Sequence, residues 1–436
     1  MTRTDPPSST EFSMHRAGAH ALRPGGIRMH GAAGSIQQVV IATALLALAA
    51  LSSSPALSQG NTGAGAQDKA EKKINAHKAR SKASASGASK PAKTKRAIAA
   101  KTVATGAAGA ALIGSGPAYA DRAEAMAFAD ELALKHQLPS DSLRQSLGRA
   151  RQSPQVIALM QPAAAPFVKN WRAYRGRFLD EWRIQAGLSF WQQQRSELAR
   201  AESVYGVPAE IIVGVLGVET IYGREMGRFR IIDALSTLAF DFPAAHPRAA
   251  ERSAYFRKEL EQFLLRHQRQ GLDPFKALGS YAGASGMPQF MPSSIASFAV
   301  DFDGDGRIDL HGSVSDAIGS VARYLQAYGW KTGMPTHYTV RLKSDADLNT
   351  LLAPDILPTF SVAAFQDAGA TLEGAALAHN GPLALIELLN GNELPSFVAG
   401  TENFYVITRY NWSSYYAMAV IELGQEIAAR RSKLAP

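Results

Sequence analysis

The 436-residue chain has no cysteine, which excludes disulfides, thiolate zinc sites, cysteine nucleophiles and acyl-cysteine anchoring together. No second histidine stands at metal spacing from His311, a surface-turn residue by its context, so a catalytic zinc has no support. Neither a nucleophile elbow nor a Gly-Lys-Ser/Thr loop occurs, which removes serine-hydrolase and phosphate-loop chemistry. Acidic residues are scarce early in the chain. Between Gln59 and Lys101, eleven Lys and Arg face only Asp68 and Glu71, an excess equal to the +9 of the whole protein. Everything after Lys101 is close to neutral, so the basic balance marks a linker rather than a basic face on a fold, and nucleic acid is not an expected partner.

Large apolar residues are also nearly missing from residues 59–120, a low-complexity Ala/Gly/Ser/Lys stretch. It cannot bury enough surface to fold alone and reads as a tether. Ahead of it, four arginines precede "VVIATALLALAAL" (Val39 to Leu51), with Ala56 and Ser58 following as small cleavage-site residues. Residues 1–58 therefore read as a signal peptide with an extended amino-terminal region. The apolar run is short for a membrane span.

Helical spacing begins near Asp121 and recurs through "LSFWQQQRSELARAESVYG", "SAYFRKELEQFLLRHQRQG" and "VSDAIGSVARYLQAYGW". At "LPSDS", Ser140 or Asp141 suits a helix cap. Between Thr336 and Phe365, β-branched residues, prolines and short alternations predict a small strand-containing insert. The expected class is mainly α (α+β).

One helix stands apart. In "VPAEIIVGVLGVETIYGREMG" the apolar residues cover nearly every face, as in a helix buried on all sides. Pro208 fits its first turn, and Gly223 and Gly227 fit its exit. Glu219 lies near the carboxyl end, where burial and the negative end of the helix dipole both disfavour its anion. A raised pKa suits a general acid working near neutral pH. The plainer alternative is a carboxylate that points outward or pairs with Arg224 or Arg228.

That segment, extended through "GRFRIIDALSTLAF", followed by "GSYAGASGMPQFMPSSIASFAVDFDGDGRIDL" and later "RYNWSSYYAMAV", resembles the lytic murein transglycosylase B family. Three separated motifs in the family's order span about Asp121 to Ile427. The resemblance implies a lysozyme-like helical core (about 190–335) with a helical flank, a small β insert (about 336–400) and a return segment (401–436), all within a catalytic region at 121–436. It implies cleavage of the β-1,4 bond between N-acetylmuramic acid and N-acetylglucosamine in peptidoglycan strands without water, leaving 1,6-anhydromuramoyl ends and using no catalytic cofactor. Glu219 would be the single acid/base. Ser280, Gln289, Tyr174, Tyr324, Tyr410, Asn411 and Tyr416 match positions that hold substrate, tyrosine offering an apolar face and a polar tip. Ser285 departs from the family's usual methionine, which changes the shape of the subsite near the muramoyl peptide. Together with the missing cysteine, the export signal implies a soluble periplasmic form, expected to act as a monomer.

Two other readings stand beside it. A lysozyme-type hydrolase would need a second carboxylate, for which Glu225 and Asp233 are the sequence neighbours. A non-catalytic glycan-binding protein would keep the cleft and dispense with the acid.

In "DFDGDGRIDLHGSVSD", Asp301, Asp303 and Asp305 before Gly306 reproduce the first half of a calcium loop. Arg307 stands at the seventh position, where such loops ligate through the backbone. The twelfth position holds Gly312 instead of glutamate, and Asp316, which resembles the family's late acidic ligand, comes further on. A structural Ca2+ is the expectation; sodium, or an acidic turn without an ion, is the alternative.

Overall fold

The computed structural model describes residues 110–162 and 168–434; the expected signal segment and most of the basic tether lie outside them. Among the described residues the first helices are α1 (Ala123–His136), α2 (Ser140–Arg149) and α3 (Pro154–Leu159), followed by α4 (Trp171–Arg175), α5 (Glu181–Gln193), α6 (Arg195–Tyr205) and α7 (Ala209–Thr220). Then come β1 (Phe229–Arg230), α8 (Ile231–Phe240), α9 (Ala249–Gln270), β2 (Leu278–Gly279), α10 (Pro292–Phe298) and α11 (Val314–Ala327). The strand-containing part holds β3 (His337–Thr339), β4 (Arg341–Leu342), α12 (Leu348–Leu352), α13 (Val362–Asp367), β5 (Ala370–Thr371), β6 (Ala384–Asn390) and β7 (Glu393–Gly400). Two helices close the chain, α14 (Glu402–Thr408) and α15 (Ser414–Leu434).

The body is helical with small antiparallel sheets, as the patterning implied. In the largest sheet β7 lies between β3 and β6, and β1 pairs with β2 in the register Phe229↔Gly279. The side chain of Ser140 does not cap α2; it donates from within the helix to Asp130 (2.6 Å). The helical stretch from Leu188 to Gly206 spans two helices that meet at Gln194, which ends α5 and precedes α6.

Ten of the twelve residues of α7 are buried, which is what an all-round apolar helix requires. Its closest neighbour is α15. The two backbones approach each other at Gly214 and Gly424, where any Cβ would run into the Val420 and Glu210 carbonyls respectively. This glycine contact sets the distance between the last turn of α7 and the first turn of α15, and so positions the site.

Three apolar cores form among the described residues. The first surrounds α7 and α15 with side chains from α5, α6 and α11. The second joins residues 119–160 to residues 229–282, so the helical flank draws on two separate chain segments. The third fills the β subdomain around Leu351, Phe365 and Leu383.

Residues 112–119, which composition groups with the tether, are part of the fold. Leu112 pairs in parallel with Phe229, its N–H donating to Arg228 (2.8 Å). Tyr119 is buried, and its hydroxyl donates to Asp241 (2.6 Å). Buried Asp233 ties this strap down: it accepts from the N–H groups of Gly114 and Arg151 (2.9 Å each) and from Nε and Nη2 of Arg230 (2.7 and 2.8 Å).

Candidate active site

Glu219 sits in the last turn of α7, immediately before an exit of unusual backbone geometry. Ile221, Tyr222 and Gly223 all take left-handed conformations (φ 52°, 58° and 85°), a costly arrangement for a β-branched and an aromatic residue. Thr220 holds the turn in place: its Oγ1 donates to the Met287 carbonyl (2.8 Å) and accepts from Gly223 N–H (3.0 Å). The strain is thus over-determined by contacts from the 280–290 loop.

The Glu219 carboxyl lies among aromatic rings and accepts one hydrogen bond, from the Tyr416 hydroxyl (2.7 Å). Burial pushes its pKa up to about 7, with the Tyr416 bond pulling weakly the other way. Among the described residues no second carboxylate contributes to that shift, and Glu219 makes no ion pair. Arg224 lies instead over the Trp182 ring, 5.4 Å from its centroid. Asp233, the sequence neighbour considered as a second acid, is committed to Arg230 and the strap.

Tyr416 is fully buried at the start of α15 and stacks on Tyr410 (6.2 Å, 15° between planes). Tyr410 packs against Tyr324 (4.8 Å) and donates to the Pro288 carbonyl (2.5 Å). Tyr324 donates to the Arg409 carbonyl (2.6 Å). The Tyr174 hydroxyl is buried, has no hydrogen-bond partner, and feels the Glu219 charge, which together with burial raises its pKa. Four of the expected residues, Glu219, Tyr174, Tyr410 and Tyr416, are thereby coupled directly, and Tyr324 joins through Tyr410. Asn411 is buried beside them.

Ser280 and Gln289 have structural work. The Ser280 Oγ accepts from Ala284 N–H (3.0 Å) and the residue is buried, so it closes its own loop. The Gln289 side-chain amide donates to the carbonyls of Met226 (3.1 Å) and Gly286 (2.9 Å), tying that loop to the exit of α7; Gln289 itself has φ 49°. Buried Ser285 pairs its backbone with Phe290 (2.9 and 3.1 Å). Sequence reasoning missed Thr220, whose only signal was its place beside the acid, and the Tyr222 ring, which stacks on Phe190 (4.9 Å).

In the acidic turn, one carboxylate oxygen from each of Asp301, Asp303 and Asp305 lies within 4.8 Å of the others. Asp316 is not a member of that cluster. It is buried, with one oxygen accepting from Phe302 N–H (2.7 Å) and the other from Asp309 N–H (2.8 Å). From the first turn of α11 it clamps the loop's backbone. Arg307 is exposed, its N–H donating to Asp305 (2.8 Å).

Residues 120–425 match the Transglycosylase SLT domain family. The chain belongs to this family. It is 40% identical over 321 residues to membrane-bound lytic murein transglycosylase B of Escherichia coli K12, covering 72% of this chain and 85% of that protein. Among solved structures, soluble lytic transglycosylase SltB1 from Pseudomonas aeruginosa aligns with a TM-score of 0.64 at 40% identity, over 71% of this chain and 99% of that one. The E. coli lytic transglycosylase Slt35 in complex with calcium aligns with a TM-score of 0.63 at 39% identity, over 73% and 96%. The fold is the lysozyme-like one of these lytic transglycosylases.

Proposed function

We propose that Glu219 is the single acid/base of a peptidoglycan lytic transglycosylase. The observation that carries this reading is a half-buried carboxyl in an aromatic setting, raised by desolvation to a pKa of about 7, with no second carboxylate acting on it. Hydrolytic glycosidases space two carboxylates roughly 5–9.5 Å apart, one serving as nucleophile or as base for water. A lone acid poised between its two protonation states suits a cycle in which it first gives a proton and then takes one back.

In the first step protonated Glu219 delivers its proton to the glycosidic oxygen, and the bond from that oxygen to the muramoyl C1 breaks. In the second, the muramoyl C6 hydroxyl attacks C1 while the Glu219 carboxylate removes its proton. The product is a 1,6-anhydromuramoyl end, the enzyme returns to its starting state, and no water is consumed. The Tyr416 hydrogen bond steadies the carboxylate between the steps. Rings of Tyr174, Tyr324 and Tyr410 line the sugar path, and the unpaired Tyr174 hydroxyl is the donor left for substrate. Ser280, Gln289 and Asn411 act by shaping the cleft.

The reading extends to the acidic turn and to location. Three hard oxygen donors within reach of one ion, followed by Gly306 at φ 90°, fit a calcium ion held by Asp301, Asp303 and Asp305, with a structural role. The name of the E. coli relative supports a cell-envelope location, to which the signal-like amino terminus adds export to the periplasm.

The test is digestion of purified peptidoglycan by the protein and by its Glu219→Gln variant, with released fragments weighed by mass spectrometry. Muropeptides one water lighter than hydrolytic products, absent with the variant, are the expected result. Reducing-end products would overturn the non-hydrolytic route.

A further inference from the structure

The strained exit of α7 is gripped from two sides. On one side Thr220 bonds to the 280–290 loop through the Met287 carbonyl (2.8 Å). On the other, Tyr222, three residues past Glu219, turns its side chain back between α7 and α5. Its ring stacks on Phe190 of α5 (4.9 Å between centroids, 26° between planes). Its hydroxyl ends between Gly187 of α5 and Gly217 of α7, where a Cβ on either glycine would collide with the phenol oxygen. Both glycines are buried, and the hydroxyl is enclosed with no hydrogen-bond partner among the described residues. An unpaired buried hydroxyl costs free energy that a phenylalanine ring would avoid, so the oxygen contributes through its volume. It fills a slot that two missing side chains leave open. The backbone gives that filling its importance. The N–H groups of Ile221 and Tyr222 donate back to the Gly217 (3.3 Å) and Leu216 (3.1 Å) carbonyls, the pattern of a helix end that glycine ordinarily makes. Here the left-handed residues are Ile221 and then Tyr222, so the exit has a standing tendency to relax. Relaxation would turn the last residues of α7 and carry the Glu219 carboxyl with them. Helix α5 is a fixed reference, since Asp180 caps its first turn and the buried Arg183 guanidinium donates to the Arg177 carbonyl (2.7 Å).

We propose that Tyr222 is a positioning residue for the catalytic acid: its phenol, seated between Gly187 and Gly217, wedges the left-handed exit of α7 against α5 and so aims Glu219 at the scissile bond. Tyr222 acts through the backbone that follows Glu219 rather than on the reacting atoms. Displacing a catalytic group by about 1 Å can cost on the order of a hundredfold in rate, so a wedge far smaller than a domain motion is enough to matter. This inference rests on the reading of Glu219 as the acid/base and adds to it the part that keeps the acid in line.

The experiment is a double-variant cycle on the full-length protein, reading kcat and KM for anhydromuropeptide release per folded molecule, with the folded fraction taken from urea unfolding. Gly187→Ala sets a methyl group against the phenol oxygen; the nearest other atoms belong to the end of the Ile427 side chain, which can move aside. It is expected to lower kcat about tenfold or more with KM held. Tyr222→Phe shortens the wedge by one oxygen and lowers kcat about twofold to threefold. In Gly187→Ala/Tyr222→Phe the methyl takes the room the oxygen left, and kcat returns to within about threefold of the parent. Tyr222→Leu stays apolar but does not reach the slot, so it loses about tenfold in kcat and tests the wedge without any added methyl. Equilibrium binding of glycan strands to Glu219→Gln protein should be the same with and without Gly187→Ala, since the wedge moves the acid and not the sugar path. A Gly187→Ala loss of equal size in the parent and in Tyr222→Phe, or lowered stability in every variant with kcat per folded molecule unchanged, would overturn the wedge and leave Tyr222 a packing residue. Reducing-end products released with the same pattern of loss and rescue would overturn the non-hydrolytic reading and leave the wedge standing.

Discussion

Glu219 and Asp233 stand fourteen positions apart in sequence, Glu219 half-buried and Asp233 buried, and they are treated in opposite ways. Asp233 accepts from two backbone N–H groups and from two N–H groups on one edge of Arg230, so its charge is fully compensated. Glu219 accepts one phenolic hydrogen bond in an aromatic cleft and its pKa rises to about 7. Donor supply, more than depth, decides whether a buried carboxylate holds a fold together or keeps a proton to give away. Asp316 falls on the Asp233 side, its two oxygens spent on loop amides.

The comparison breaks most sharply at Glu219 itself. Glu219→Gln should lower anhydromuropeptide release by about a thousandfold or more, since the only proton carrier is gone. It should also stabilise the protein at high pH. Because the folded pKa lies above the ordinary 4.5, the contribution of Glu219 is fully present below pH about 4.5 and is lost as pH rises through 7. A Gln has no such loss, so urea unfolding should show the variant gaining up to ~3 kcal/mol on the parent above pH 7, and little at pH 4. A variant that loses activity without this pH-dependent gain would mean that Glu219 is not held in the state described.

Asp233→Ala should do the reverse. Leaving a half-enclosed guanidinium and two amides without their acceptor costs about 3–5 kcal/mol by urea unfolding. Activity per folded molecule should be unchanged, because the hub lies behind the cleft. An inactive but stable variant would place Asp233 in the chemistry and reopen the hydrolase route.

The acidic turn sharpens the same contrast from the surface. Calcium at about a hundred times its dissociation constant should raise stability by ~2.7 kcal/mol. Chelation should remove that gain, and Asp301→Asn should blunt it. Asp316→Asn should instead destabilise the protein with or without calcium, as befits a clamp on backbone amides. If the two variants behave alike, Asp316 is a ligand after all.

How much of this was legible depended on the kind of interaction. The burial of Glu219 could be read because twelve contiguous residues encode it, and the helical body and the β insert followed from periodicity in the same local way. The strap at 112–119 was grouped with the tether because Ala- and Gly-rich composition says nothing of backbone hydrogen bonds to Arg228 and Ala150, which depend on where the chain returns. Asp316 was placed among the candidate ligands by the family likeness, whereas its bonds to the amides of Phe302 and Asp309 depend on how the loop folds back and no spacing shows them. Tyr416 is 197 residues from Glu219. No spacing rule joins them; a family likeness pointed to the tyrosine, and the glycine contact between α7 and α15 explains how it arrives.

That single donor sets the smallest effect and the most informative one. Tyr416 bonds to the charged form of Glu219 and so holds its pKa below the value burial alone would impose. Tyr416→Phe keeps the ring and its stacking on Tyr410 but removes the hydroxyl. The worth of a hydrogen bond to a charged group, about 1.5 kcal/mol at the low end, corresponds to roughly one pH unit. The high-pH limb of kcat/KM should therefore move upward by about that much, so that above neutrality a larger fraction of enzyme carries the proton for the first step. The protonated group is also a weaker acid, because the carboxylate it leaves behind is less steadied, so kcat should fall on the low-pH plateau, while return of the C6 proton to the more basic carboxylate is not slowed. A fall in activity with no movement of the pH limb would mean that Tyr416 serves the substrate alone and leaves the proton on Glu219 to burial.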